Sequence, residues 1–227
     1  MADIAIDTVR ILITAGPTAE DIDPVRFITN RSTGRMGMAV VAAALAAGAR
    51  PLLVLGPTHL QPPEGVETIR VRSAADMHRA VLDNLARCDA LVMTAAVADY
   101  TPAEPLNEKL KKKDGDLELR LKRTPDILRE VAQSPERDRL TVFGFSLDVS
   151  MNIEEGRRKL EAKNLDAIIV NATDTFGSDR IDAILLDAKG NKKSPGAVEK
   201  QEFAAWLISL ICEQLEKKWN SKKHLSS

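Results

Sequence analysis

Short apolar runs alternate with segments of helical periodicity along the chain, and this alternation constrains the fold more than any other feature. Ile11–Ile13, Pro51–Leu55, Leu91–Met93, Thr141–Phe145, Ala167–Val170 and Ala183–Leu186 read as strands. Helix candidates lie between them at Met36–Ala47, from Ser73 through Cys88, near Asn152–Lys163 and from about Glu199 to Lys218. A strand that is apolar on consecutive residues must be buried on both faces, and parallel strands need a long crossover, usually a helix. The expected architecture is α/β: a doubly wound, Rossmann-like parallel sheet with helices on both faces. Local signals agree. Gly48 closes the first helix candidate, Ser73 with Asp76 three residues on resembles a capping box, and Phe203, Trp206, Leu207, Leu210 and Ile211 form one apolar stripe.

Residues 1–219 read as a single nucleotide-binding domain and 220–227 as a polar tail. Two stretches depart from the alternation. From Thr14 to Gly37 the first strand and first helix are joined by a connection far longer than the roughly 2–6 residues usual in such units, and long connections tend to be functional. From Tyr100 to Arg123 a lysine cluster and the alternating run Leu117-Glu118-Leu119-Arg120-Leu121 read as an inserted flap or hairpin.

Composition narrows the function. With 227 residues, 44% hydrophobic, the chain can bury a substantial core, and a net charge of −1 gives no case for nucleic acid or membrane as main partner. Aromatic content of 4% argues against a stacking platform for single strands. Cys88 and Cys212 belong to no disulfide framework or metal pattern, and His59, His78 and His224 make no catalytic or metal constellation. No signal peptide is visible and no apolar stretch reaches the roughly 20 residues that span a bilayer, so a reducing cytoplasm is expected.

In a doubly wound sheet, ligands bind at the carboxyl ends of the strands. Gly16-Pro17-Thr18, Gly56-Pro57-Thr58, Ala95-Ala96-Val97-Ala98-Asp99 and Ser146 fall there. Gly34 and Gly37 bracket the start of the first helix, where free N–H groups favour an anion, although Gly37 also serves for tight packing alone. Neither G-x-G-x-x-G nor G-x-x-x-x-G-K-[ST] is present. Asn30 both donates and accepts, which suits a developing oxyanion, yet an Asn before a helix is ordinarily a cap or turn residue. Arg26 and Arg31 are candidate phosphate or carboxylate clamps, with solvated surface arginine as the plain alternative. Asp99 reads equally as a ligand carboxylate and as a helix cap. Lys109 and Lys111 project the same way if their segment is extended, and Lys159 and Lys163 share one helix face; solvated lysine is the ordinary explanation of both pairs. Nothing resembles a nucleophile or paired carboxylates, so the implied catalysis is positioning and charge stabilisation.

Taken in order, these pieces closely resemble phosphopantothenate–cysteine ligases of coenzyme A biosynthesis. The carriers are Ile13 through Thr18, Ile22 through Gly37, Ala95 through Tyr100, Glu108 through Lys112, Thr124 through Leu128, Gly144-Phe145 and Lys159 through Asp166. The resemblance implies a two-step ligation. The carboxylate of 4′-phosphopantothenate attacks the α-phosphate of CTP or ATP, pyrophosphate leaves, and the cysteine amine displaces the nucleotide. It further implies that Asn30 holds the acyl nucleotidylate, that Lys109 on the flap neutralises triphosphate charge, and that Arg26 contacts the pantothenate phosphate across a homodimer interface. Ala95, Ala96 and Asp99 would line the substrate cleft. Gly16, Thr18, Ser32, Gly34, Gly37, Phe145, Lys159 and Lys163 would bound the nucleotide, with Mg²⁺ on the phosphates and no other metal site. Many bacterial members carry a fused flavin-dependent decarboxylase, whereas here the first strand begins about ten residues after Met1; the expectation is a flavin-free ligase served by a separate decarboxylase. The family's Gly-Phe-Ala-Ala-Glu-Thr reads Gly144-Phe145-Ser146-Leu147-Asp148-Val149, which leaves CTP against ATP open, with CTP favoured. The rival readings are a non-catalytic nucleotide-binding paralogue and an NAD(P)-dependent oxidoreductase; the latter needs a compact glycine turn that residues 14–37 do not offer.

Overall fold

The computed structural model describes residues 6–112, 115–148, 150–172 and 178–225. In chain order the elements are β1 (Arg10–Ala15), β2 (Ala19–Asp21), β3 (Phe27–Thr29), α1 (Arg35–Ala46), β4 (Arg50–Leu55), β5 (Glu67–Arg70), α2 (Ala74–Leu82), β6 (Ala90–Met93), β7 (Tyr100–Pro102), β8 (Leu121–Arg123), α3 (Ile127–Gln133), β9 (Thr141–Asp148), α4 (Ile153–Ala162), β10 (Ala167–Ala172), β11 (Arg180–Ile181), β12 (Ala183–Asp187), β13 (Lys192–Lys193), β14 (Val198–Glu199) and α5 (Lys200–Leu225). Among the described residues one large sheet has the order β13-β12-β10-β9-β6-β1-β4-β5. Every neighbouring pair from β5 across to β10 is parallel. The chain starts in the middle of the sheet, builds outward through β4 and β5, then returns to the other side of β1 at β6. That reversal between β1 and β6 is the topological switch point of a doubly wound fold.

Burial follows the period of the strand. Ile11, Ile13 and Ala15 face the layer of α1 and α5, where Val40, Val41, Ala44, Phe203, Leu207 and Ile211 meet them. Leu12 faces the opposite layer, with Met77 and Val81 of α2, Ile127 and Val131 of α3, and Leu160 of α4. Consecutive apolar residues thus feed two cores at once, as the expectation of a sheet covered on both faces requires. Gly48 ends α1 at φ +89°, and the Ala49 and Gly48 N–H groups return to the carbonyls of Ala44 and Leu45, a Schellman motif. The Ser73–Asp76 pair forms a full reciprocal capping box on α2.

The structure corrects the sequence reading in several places. Ala183–Leu186 does not join the parallel set: β12 runs antiparallel to β10, and β13 antiparallel to β12. The connection from Ala172 to Ala183 is too short for a helical crossover, so the chain doubles back. The last helix continues past Lys218 to Leu225, since no glycine or proline interrupts it. The long first connection contains a hairpin, β2 against β3, that the sequence did not reveal. The flap is rooted in an antiparallel pair, Tyr100 opposite Arg123 and Pro102 opposite Leu121, and its alternating run enters a strand only at Leu121. Lys113 of the flap's lysine cluster lies outside the described residues.

Candidate active site

The ends of β1 and β6 are spliced together by their own hydroxyls. Thr94 Oγ1 donates to the Thr14 carbonyl at 2.5 Å, and Thr14 Oγ1 accepts from the Ala95 N–H at 3.2 Å. Beyond the strands, the Ala96 N–H bonds the Gly16 carbonyl and the Thr18 N–H bonds the Ala96 carbonyl. Above this splice opens a cleft of about 880 Å³. Its floor is Met93 through Asp99. One wall is Asn30 through Gly37, and the opposite wall is Thr124 through Leu128, Phe145 to Leu147, Lys159 and Lys163.

The Asn30 Nδ2 donates to the Ala96 carbonyl at 2.9 Å, which fixes the amide over the β6 end. This use is neither cap nor turn, because α1 begins after Gly34 and has no side-chain cap. Gly34 has φ +83°, and a Cβ there would lie 3.3 Å from the backbone of Gly16, so the loop lies directly on the β1 end. At Gly37 a Cβ would come within 2.4 Å of Ala15 Cβ and 2.6 Å of Thr94 Oγ1. Its glycine is therefore required by packing, and that close approach brings the first turn of α1 to the cleft. The Ser32 hydroxyl accepts from the Gly34 N–H, and the Thr58 hydroxyl donates to the Thr33 carbonyl at 2.8 Å. Both contacts shape the loop.

On the far wall Lys159 Nζ donates to the buried Ser146 hydroxyl at 3.1 Å, and Lys163 Nζ lies 3.1 Å from Asp126 Oδ1. Asp126 also caps α3 by accepting from the Arg129 N–H. The cleft carries Arg31, Arg35, Arg123, Lys159, Lys163 and Lys200 against the carboxylates Asp99 and Asp126. A chain of net charge −1 has concentrated positive charge at its switch point. Such a cleft suits a polyanion.

A family profile described as DNA/pantothenate metabolism flavoprotein C-terminal domain matches residues 6–215. The chain belongs to this family. It is 45% identical over 207 residues to the coenzyme A biosynthesis bifunctional protein CoaBC of Bacillus subtilis (strain 168), covering 89% of this chain and 50% of that protein. The chain thus spans about half the length of the curated relatives it matches. The crystal structure of the C-terminal domain of coenzyme A biosynthesis bifunctional protein CoaBC superposes with a TM-score of 0.78 at 37% identity, covering 92% of this chain and 96% of that one. A Cab2 H337A complex with phosphopantothenate-cysteine has a TM-score of 0.78 at 18% identity, covering 96% of this chain and 89% of that one, and it supports the fold alone.

Of the site residues expected in this family member, Asn30, Ser32, Gly34, Gly37, Ala95, Ala96, Asp99, Phe145, Lys159 and Lys163 line the cleft together. Gly16, Thr18, Arg26 and Lys109 do not. Gly16 supports Gly34 from below. Thr18 is fully buried, its hydroxyl accepting from the Ala98 N–H and its carbonyl accepting from the Thr29 hydroxyl. The Arg26 guanidinium bonds Asp23 and the Leu110 carbonyl, while Lys109 is exposed beside that contact. In the departing motif, Ser146 is buried, Leu147 is 40% exposed on the cleft, and Asp148 accepts from the Ser150 N–H and hydroxyl. Those bonds hold the Asp148 carboxyl below its ordinary value. Val149 lies outside the described residues.

The sequence reading missed Arg35, Arg123 and Lys200 as cleft residues. Arg35 pairs with Asp179 at 2.8 Å. Lys200 opens α5, donates to the Ser178 carbonyl at 2.5 Å, and has its ammonium pushed below the ordinary lysine value, by burial first and then by Arg35. A lysine at a helix start opposes the dipole, and that was the one signal available for it. Asp166 is scaffold: Oδ2 accepts from the Val142 N–H at 2.8 Å and meets Arg137 at 3.0 Å.

Proposed function

We propose that this chain is a phosphopantothenate–cysteine ligase. The observation that carries the reading is the strongly cationic cleft at the β1/β6 switch point with the Asn30 amide anchored on the Ala96 carbonyl. The similarity to the C-terminal domain of a bifunctional coenzyme A biosynthesis protein supports it. The carboxylate of 4′-phosphopantothenate attacks the α-phosphate of a nucleoside triphosphate, taken as CTP, and pyrophosphate departs. The cysteine amine then attacks the acyl carbon and releases CMP. Asn30 contributes its second amide hydrogen and its oxygen, neither used in the Ala96 bond, to the acyl nucleotidylate and the charge that develops there.

Lys159, Lys163 and Phe145 bound the nucleotide, Ala95, Ala96 and Asp99 the substrate, and Lys109 descends from the flap onto the triphosphate. Among the described residues no cluster of three His, Cys, Asp or Glu side chains forms a metal cage. With Asp126 engaged by Lys163, Asp99 would be the cleft carboxylate available to help hold Mg²⁺ alongside substrate phosphates, the kind of donor set that ion takes. Mg²⁺ held there would supply charge neutralisation on the pyrophosphate. Arg26 is exposed, and its Nη1 is outside the bonds to Asp23 and Leu110, so it can meet the phosphate of phosphopantothenate in a homodimer. Exposed Val25 and Phe27 beside it suit contact with a second copy. The compartment is a reducing cytoplasm, in keeping with the free thiols Cys88 and Cys212. The ligation product passes to a decarboxylase.

The test is turnover with Mg²⁺, 4′-phosphopantothenate and cysteine, offering CTP or ATP and resolving the nucleotide products. Substrate-dependent CMP and pyrophosphate are expected. Folded protein that releases no pyrophosphate with either nucleotide is a binding paralogue.

A further inference from the structure

Asp23 sits in the β2–β3 turn with its side chain fully buried. A carboxylate removed from water must be met by donors. Here Oδ1 accepts from the Val25 and Arg26 N–H groups, each at 2.8 Å. Oδ2 accepts from Arg26 Nε at 2.9 Å, from Arg26 Nη2, and from the Leu110 N–H at 3.0 Å. The same Arg26 Nη2 donates to the Leu110 carbonyl at 2.9 Å. One ion pair therefore holds both backbone polar groups of the residue following Lys109. A second tie, from the Leu106 N–H to the Ile22 carbonyl at 2.9 Å, joins the same turn to the flap.

We propose that Asp23 is a positioning residue, forming with Arg26 a clasp on Leu110 that sets Lys109 for the nucleotide phosphates and directs the remaining Arg26 N–H groups. The role given to Lys109 rests on the ligase reading; the clasp itself does not. The Arg26 bonds, foremost, hold the Asp23 carboxyl well below the ordinary carboxylate range, so it stays charged and the clasp stays closed throughout the neutral range.

The test compares the full chain with Asp23→Asn, which keeps the shape but removes the charge, and with Leu110→Pro, which removes the flap donor and leaves the buried carboxylate intact. Amide exchange followed by NMR is expected to be roughly tenfold faster at Leu110 in Asp23→Asn. Calorimetry is expected to show the Kd for CTP raised roughly tenfold in both variants, with the KM for cysteine unchanged and the double variant no worse than the worse single one. Unchanged exchange at Leu110, or faster exchange with an unchanged Kd for CTP, overturns the proposal. So does an equal loss in CTP and cysteine parameters, which marks a merely structural residue. If Asp23→Asn does not fold, Leu110→Pro carries the Kd and KM comparison. Wild-type protein that binds CTP but releases no pyrophosphate sinks the ligase reading and leaves the exchange and Kd arms to judge the clasp.

Discussion

Asn30 shows how a single bond can fix one side chain in place. One of its two Nδ2 hydrogens is committed to the Ala96 carbonyl, which removes the rotational freedom that a surface asparagine keeps. An amide so fixed pays little reorganisation when charge develops beside it. On the proposed ligase reading, in which Asn30 acts in the transition state, Asn30→Ala is expected to lower turnover by roughly 10²–10³-fold with CTP binding little changed. Steady-state rates with Kd from calorimetry check this; an equal loss in both assigns Asn30 to binding alone. Gly37 is the opposite case, a residue whose value lies in what it lacks. Gly37→Ala sets a methyl 2.4 Å from Ala15 Cβ, and an overpacking cost of about 1–3 kcal/mol in urea unfolding is expected.

Among the elements, α2 depends most plainly on its cap. Ser73 Oγ accepts from the Asp76 N–H at 3.1 Å, and Asp76 Oδ2 accepts from the Ser73 N–H at 3.0 Å. Bonds from Ser73, its backbone N–H first, hold the Asp76 carboxyl below the ordinary value of 3.8. A depressed native value means that the unfolded chain takes up the proton first as pH falls. The charged cap therefore stabilises fully above the ordinary carboxylate value, and its contribution fades as pH drops through and below it. Asp76→Asn should cost stability at neutral pH and cost progressively less in acid, read by urea midpoints across pH; a pH-independent cost contradicts the linkage. This cap was legible from the chain because its partners are three residues apart, as was the Gly48 stop. The β2–β3 hairpin was not legible. Its strands are three residues each and exposed or irregular in burial, so no alternation announces them.

For the whole molecule, electrostatics and topology act together. The chain is nearly neutral, yet the cleft gathers Arg31, Arg35, Arg123, Lys159, Lys163 and Lys200. Partly exposed charges of this kind are screened over about 8–10 Å at ordinary salt. On the proposed ligase reading, the KM for CTP is therefore expected to rise with ionic strength while the KM for cysteine, a neutral zwitterion, moves much less; a flat response of the CTP KM contradicts the charge reading. The alternating pattern by itself determined the α/β class, the two-faced sheet, most helix positions and the loop at the first strand end, because period and local caps are properties of neighbouring residues. It also placed Asp99 and Ser146 at strand ends, where a doubly wound sheet binds ligands. Only the tertiary structure decided that β12 turns back antiparallel, that Lys200 reaches the cleft from the start of α5, and that Asp23 and Arg26 grip Leu110. Each of those joins residues far apart in the chain, and neither period nor spacing records a contact that exists only once the sheet has closed around its switch point.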